Sequence, residues 1–159
     1  MATNQEAIED IDGCCNCLAA RQASRYLTAV YDQALSPVEL RITQFSILYR
    51  LAKNGPMAIG ELANEIAMDR TTLASNLKPL ERDGLVMIGP GADRRAKKAA
   101  ITKAGIVRYR KALPLWNEVQ TKFEGTYGGK PAAKLRNSLR AVLSSGFEPW
   151  AENGVEAKL

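Results

Sequence analysis

The sequence predicts a mainly α-helical fold with a small β-hairpin wing, in which a winged helix-turn-helix core carries further helices at both of its ends. Three observations carry that prediction. Two short amphipathic segments, near residues 59–66 and 70–80, are separated by two or three residues, with Asp69 placed to cap the second. Two apolar runs follow directly, residues 85–88 and 99–101, and they enclose the loop GPGADRRAKK. Helical periodicity then continues outside this core, near residues 13–35 and 103–147.

Each element has its own local signal. In the first, Cys14, Cys17, Ala20, Ala23, Leu27, Val30, Tyr31 and Ala34 recur at steps of three and four, and Leu35-Ser36-Pro37 ends the helix, because proline disfavours helical geometry in the residue before it. The second is expected to start at Thr43, whose hydroxyl can cap a free amide, with Ile42 and Ile47 at staple spacing and Gly55-Pro56 as the stop. The third, roughly Ile59 to Ile66, buries Leu62, Ala63 and Ile66; the fourth buries Leu73, Leu77 and Leu80 and turns Arg70, Thr71, Ala74, Ser75 and Lys78 outward. Pro79 lies inside that fourth segment, where it removes an amide at a cost of about 3 kcal/mol relative to alanine, so the helix is expected to kink or shorten. Either it marks the helix boundary or it re-aims Ser75 and Lys78.

Gly84 closes the fourth helix before the hairpin. Thr102 can cap a long helix to about Tyr127, interrupted near Pro114 and ended by Gly128-Gly129, and Pro131 opens a last helix carrying Leu135, Leu139, Val142 and Leu143. The reading is one domain over 13–147: a winged core over 43–102, dimerisation helices over 13–35 and 103–147, and tails at 1–12 and 148–159. A winged core cannot bury all the helical faces, and an isologous homodimer is the simplest way to cover them.

The formal net charge of +5 favours a polyanionic partner, and its distribution matters more than its sum. Arg94, Arg95, Lys97, Lys98, Lys103, Arg108, Arg110 and Lys111 lie within 18 positions that contain no acid, whereas Glu6, Glu9, Asp10 and Asp12 crowd the start. That acidic start is unlike a signal peptide, and no apolar run reaches membrane-spanning length, so a cytoplasmic protein with no membrane partner is expected. No phosphate-binding glycine loop, nucleophile elbow or metal-binding histidine pair occurs, and no cofactor is expected. The reading is not an enzyme: a thiol oxidoreductase would want its C-x-x-C beside a βαβ unit, and none is visible. An architectural nucleic-acid protein without sequence choice is the other alternative.

Cys14, Cys15 and Cys17 form a cluster in a chain with no histidine. They can be small packing residues in the first helix's stripe. A metal site would need ligands from a second copy, since zinc wants four, and none is expected. A redox role is the third reading, because the C-x-x-C of Cys14 and Cys17 falls near a helix start, where the dipole favours thiolate.

DRRAKKAAIT at 93–102, DRTTLASNLKPLERDGLV at 69–86, and the pair TAVYDQAL and RITQFSILYRL at 28–35 and 41–51 resemble the MarR family of bacterial transcriptional regulators. The resemblance covers nearly the whole chain and implies two-fold dimers on pseudo-palindromic double-stranded DNA, usually repressing, and released by a small aromatic ligand or by cysteine oxidation. It places Arg95 in the minor groove, with Asp93 orienting it, and it puts Thr71, Thr72, Ser75 and Lys78 on the recognition helix; from the residues themselves, Arg70 on that helix and Arg94, Lys97 and Lys98 in the hairpin are expected to join them on the DNA. The sequence departs from the family at Ala74 and Ser75, where threonine and arginine are commoner. A lost bidentate arginine removes about 1–3 kcal/mol of base discrimination. Ile101 also replaces the wing signature's leucine. An effector pocket is expected from Tyr31, Phe45, Tyr49 and Trp116, between the first two helices and the long one.

Overall fold

The structure is a computed structural model that describes residues 11–91 and 96–146. Helix α1 (Asn16–Leu35) runs into a single 3-10 turn (Ser36–Val38) and then α2 (Ile42–Asn54). The two-residue strand β1 (Met57–Ala58) leads into α3 (Ile59–Glu65) and α4 (Arg70–Arg82). Strands β2 (Val86–Pro90) and β3 (Lys97–Ile101) form the hairpin, and α5 (Lys103–Tyr127) and α6 (Gly129–Leu143) complete the chain. The sheet is antiparallel with order β1-β3-β2, so the return strand of the hairpin is its centre.

One apolar core joins the winged part to the long helix. Leu35, Ile47, Leu48, Leu51, Leu62 and Leu73 are fully buried, and Leu77, Leu80, Val86, Ala99 and Ala112 close around them. At roughly 1.5–3 kcal/mol for each fully buried large aliphatic side chain, this layer is the main source of stability. Gly84 takes φ +70° and ends α4, letting Leu85 donate its amide to the Leu80 carbonyl at 2.8 Å. Ala67, in the turn between α3 and α4, is also left-handed at φ +50°, a conformation that disfavours a side chain; the amides of Ala67 and Met68 close the turn onto Asn64 and Ala63.

Several sequence expectations are corrected. Helix α1 begins at Asn16, later than expected, because the Cys15 sulfur accepts from the Leu18 amide at 3.4 Å and Cys15 is the cap. Thr43 lies inside α2 and does not cap it. Arg41 is the cap residue, the Ile42 amide is satisfied by Asp32 Oδ1 at 2.7 Å, and the Thr43 hydroxyl donates to Asn76 of α4 at 2.9 Å. Pro79 and Pro114 neither shorten nor interrupt their helices. The carbonyls they leave without helical donors belong to Ser75 and Arg110, both exposed residues. Helix α6 opens at Gly129, two residues before Pro131. Strand β1 carried too short a pattern to read, and β3 takes in Lys97 and Lys98, which the sequence reading left in the loop.

Gly105 fixes how α5 leaves the sheet. A Cβ there would stand 2.1 Å from the Leu85 carbonyl oxygen and 2.7 Å from Ile101 Cγ1. Thr102 ties the same junction, accepting from the Gly105 amide at 3.0 Å and donating to the Gly84 carbonyl at 2.6 Å. Gly105→Ala is therefore expected to destabilise the fold by about 1–3 kcal/mol through overpacking, although alanine is the better helix former by about 1 kcal/mol. Urea unfolding measures it, and an unchanged or raised midpoint would count against the close approach.

Candidate nucleic-acid interface and ligand pocket

Helix α4 owes its position to its buried stripe and its cap. Leu73, Leu77 and Leu80 anchor one side, while Arg70, Thr71, Thr72, Ala74, Ser75 and Lys78 are exposed on the other. Asp69 Oδ1 accepts the Thr72 amide at 2.8 Å and Oδ2 accepts the Thr72 hydroxyl at 2.5 Å. The Thr72 hydroxyl thus spends its proton within the cap and keeps its acceptor capacity. The Ser75 hydroxyl donates to the Thr71 carbonyl at 3.1 Å and keeps its acceptor capacity. The Arg70 guanidinium folds back towards α3, where a Cβ on Gly60 would come within 3.3 Å of it.

The hairpin brings a second set of cations beside this face. In strand alternation Lys97 shares the side of buried Ala99, and its register partner Pro90 shares the side of Ile88. A groove of about 570 Å³ between α4 and the hairpin is lined by Ala74, Leu77, Lys78, Ile88, Lys97 and also Glu81. Lys78 and Lys97 therefore meet along one surface. Lys98 leaves the opposite face of the sheet, so the two lysines paired in the sequence reading do not serve one surface. Asp93, Arg94 and Arg95 lie outside the described residues.

A second cavity, about 330 Å³, opens between α2 and α5 and is lined by Phe45, Ser46, Tyr49, Tyr109, Leu113 and Trp116. The Phe45 ring stacks on Tyr109 at 5.3 Å and on Trp116 at 6.1 Å. Phe45, Tyr49 and Trp116 are where the sequence expected them. Tyr31 is not: its hydroxyl donates to Gln120 further along α5, and Gln120 passes the chain of bonds to Glu124 and Arg136 of α6. Burial, then the Glu124 carboxylate, raise the Tyr31 pKa above its ordinary value. Tyr109 and Leu113 were missed, although their spacing with Trp116 on α5 is a helical one. Arg108, part of the basic run, is used within the fold, donating to the Val38 carbonyl at 2.9 Å.

Within the single chain Cys14 and Cys17 are exposed and Cys15 is half-buried, so none of them packs in this chain's own core; Cys14 precedes α1 and its thiol donates to the Ile11 carbonyl at 3.6 Å. Among the described residues no group of three or more His, Cys, Asp or Glu side chains is placed to hold a metal ion. No helix among the described residues is long and apolar enough to cross a membrane.

Comparison with known proteins agrees with this geometry. The sequence model of the MarR family matches residues 40–97. The chain is 30% identical over 103 residues to YwoH, an HTH-type transcriptional regulator of Bacillus subtilis, covering 65% of this chain and 72% of that one. It is 25% identical over 130 residues to the homoprotocatechuate degradative operon repressor of Escherichia coli, covering 81% and 88%. Among solved structures, the M. tuberculosis transcriptional regulator MosR in complex with DNA superposes with a TM-score of 0.72 at 36% identity, covering 84% of this chain and 99% of that one.

The cap makes a pH prediction. Hydrogen bonds from the Thr72 side chain and then its backbone hold the Asp69 carboxyl below its ordinary value. A depressed folded-state value means the cap's stabilisation is complete above the unfolded value, ordinarily near 3.8, and is lost as pH falls through the lower folded one. Hydrogen exchange at the Thr72 amide is expected to lose protection in that acid window, and Asp69→Asn, whose amide oxygen caps without titrating, is expected to remove that pH dependence.

Proposed function

The chain belongs to the MarR family of transcriptional regulators, and from that premise we propose that it is a homodimeric repressor that binds a pseudo-palindromic operator in double-stranded DNA. The observation that carries this reading is the groove in which Lys78 of α4 and Lys97 of the hairpin meet beside the exposed polar face of α4. In this reading α4 enters the major groove, with Thr71, Thr72 and Ser75 facing the bases and Arg70 turning out from α3 to join them, while the segment of sequence between β2 and β3 that holds Asp93, Arg94 and Arg95 reaches the minor groove. Lys97 and Lys98, on opposite faces, would meet phosphates on different stretches of backbone. Glu81, in the same groove as Lys78 and Lys97, disfavours a phosphate at its end of the groove and so helps fix the register.

The core over 43–102 is then the DNA-binding part, and the helices over 13–35 and 103–147 are the dimerising part of one domain, flanked by tails at 1–12 and 148–159. Exposed apolar side chains support a second copy there: Tyr26 on α1, Tyr127 on α5, and Leu139, Val142 and Leu143 on α6. A regulator with such a pair of parts acts in the cytoplasm. Release by a small aromatic effector is supported by the α2–α5 cavity and by the likeness to a repressor of an aromatic degradative operon.

A second reading, release by thiol oxidation, is favoured by one observation: Cys14 and Cys17 are exposed, and Cys15 sits at the positive end of α1 with an amide donating to its sulfur.

Genomic selection of bound fragments followed by salt titration tests the main reading. For each lysine that neutralises a phosphate, its replacement by alanine is expected to flatten the slope of log affinity against log salt by about 0.9, so Lys78→Ala and Lys97→Ala each move it. Unchanged slopes in both would remove that groove from the interface. Adding peroxide to the complex tests the thiol reading, which predicts that Cys14→Ser or Cys17→Ser stays bound where the parent protein dissociates.

A further inference from the structure

Resting on the reading of α4 as the helix that enters the major groove, we propose that Arg41, with Gln44 beside it, holds the phosphate backbone on the side of α4 away from the hairpin. The hairpin side is the flank of Ala74, Lys78 and Glu81, which share a groove with Lys97. The other flank is the row Thr72, Asn76, Pro79 and Asp83, spaced at steps of four, three and four. Helix α2 starts against this second flank. The Thr43 hydroxyl donates to Asn76 Oδ1 at 2.9 Å and Asn76 donates to the Thr72 carbonyl at 2.9 Å, which ties the start of α2 to α4. Thr71 and Ser75 are exposed between the two flanks.

A groove of about 910 Å³ runs along the second flank, and Arg41, Gln44, Pro79, Arg82, Asp83 and Arg108 are among the residues that line it. Its other charges are spent within the fold. Arg82 is paired with Asp83 at 2.9 Å, and Arg108 donates to the Val38 carbonyl at 2.9 Å and is paired with Glu39 at 3.5 Å. Asp32 accepts the Ile42 amide at 2.7 Å. Arg41 is exposed, and its guanidinium is in no ion pair among the described residues. Its backbone, by contrast, is held: the Arg41 amide donates to Gln44 Oε1 at 3.0 Å, and the Arg41 carbonyl accepts the Phe45 amide at 2.9 Å. The Gln44 carboxamide keeps its NH2 as a further donor. A fixed stem with an uncommitted guanidinium suits a phosphate, which the arginine fork can bind through two bonds at once.

The dimensions of the duplex give this cation its place. A major groove is about 12 Å wide and a helix with its side chains about 10–12 Å across, so a helix lying there has a phosphate backbone along each flank, one from each strand. Lys78 and Lys97 serve the hairpin flank, and Arg41 serves the other. A helix gripped on one side only can roll about its axis, which would carry Thr71 and Ser75 away from the base edges. The Arg41 contact therefore positions α4 without itself reading sequence.

The test uses the full chain and operator fragments recovered by genomic selection. Arg41→Ser removes the charge and leaves a favoured residue ahead of α2, with Arg41→Gln as the second variant if the first does not fold; Arg41→Lys keeps the charge. The serine variant is expected to flatten the slope of log affinity against log salt by about 0.9, so a fourfold rise in salt costs the parent protein about 3.5-fold more affinity than the variant. The lysine variant is expected to keep the parent's slope, and base substitutions in a half-site are expected to weaken the parent and Arg41→Ser by equal factors. Neutral methylphosphonates, placed one at a time, locate the contact: Arg41→Ser should become indifferent to a phosphate on one strand, and Lys97→Ala to a phosphate on the other. An unchanged slope in Arg41→Ser, where Lys78→Ala and Lys97→Ala flatten theirs, overturns the proposal and leaves the interface standing. Unchanged slopes in all three remove the interface itself, and a single phosphate shared by Arg41 and Lys97 overturns the assignment to opposite flanks.

Discussion

Burial of one side of α2 is the constraint on which the other elements depend. Phe45, Ile47, Leu48 and Leu51 all come from that helix, and its neighbours are α1, α4, α5 and the central strand β3. Among the described residues no other helix of comparable length is so enclosed: α4 buries three leucines along one stripe, and α5, about twice as long, buries only Gly105 and Ala112. The hairpin and the long helix are joined through this one apolar layer. Its close packing leaves little room for either to shift without α2 shifting too.

The polar bonds around that layer set angles more than they add energy. Asp32 of α1 caps α2 from ten residues upstream, Thr43 reaches Asn76 on α4, and Arg108 of α5 holds the turn after α1. Each is a contact between elements that the apolar packing alone would let slide. Bonds of this kind contribute about 1 kcal/mol apiece, so their value lies in choosing one arrangement among several of similar burial.

That division explains what could be read from the sequence. Buried stripes such as Leu73, Leu77 and Leu80, and caps such as Asp69 and Thr102, are local, and they placed α4 and α5 nearly to the residue. The errors fall where a distant group supplied what the local sequence lacked. Thr43 looks like a cap, yet the helix starts one residue earlier with Asp32 accepting the Ile42 amide, and the Thr43 hydroxyl donates to α4 instead. Strand β1 exists because β3 has an edge to offer Met57 and Ala58, and two residues carry no period. Tyr31 shares a stripe with pocket-forming helices but finds Gln120 instead, and nothing in its neighbours along the chain announces that partner. Pro79 and Pro114 broke no helix, and Ser75 and Arg110, the residues whose carbonyls lose a helical donor, are both exposed, which a propensity argument does not see.

The same geometry limits how a guest between α2 and α5 could alter the exposed face of α4. A ligand shifts a conformational equilibrium only by its difference in affinity for the two states. The direct polar link from α2 to α4 is the Thr43–Asn76 bond, continued where Asn76 donates to the Thr72 carbonyl at 2.9 Å. At about 1 kcal/mol, breaking it changes a population roughly fivefold, too little to empty an operator. A large effect therefore requires α2 to move as a body, carrying Ile47, Leu48 and Leu51 against the leucines of α4. The position of the cavity suits this: Phe45 and Tyr49 form its α2 wall one turn apart, so a ring wedged there pushes on the helix and not on a single side chain.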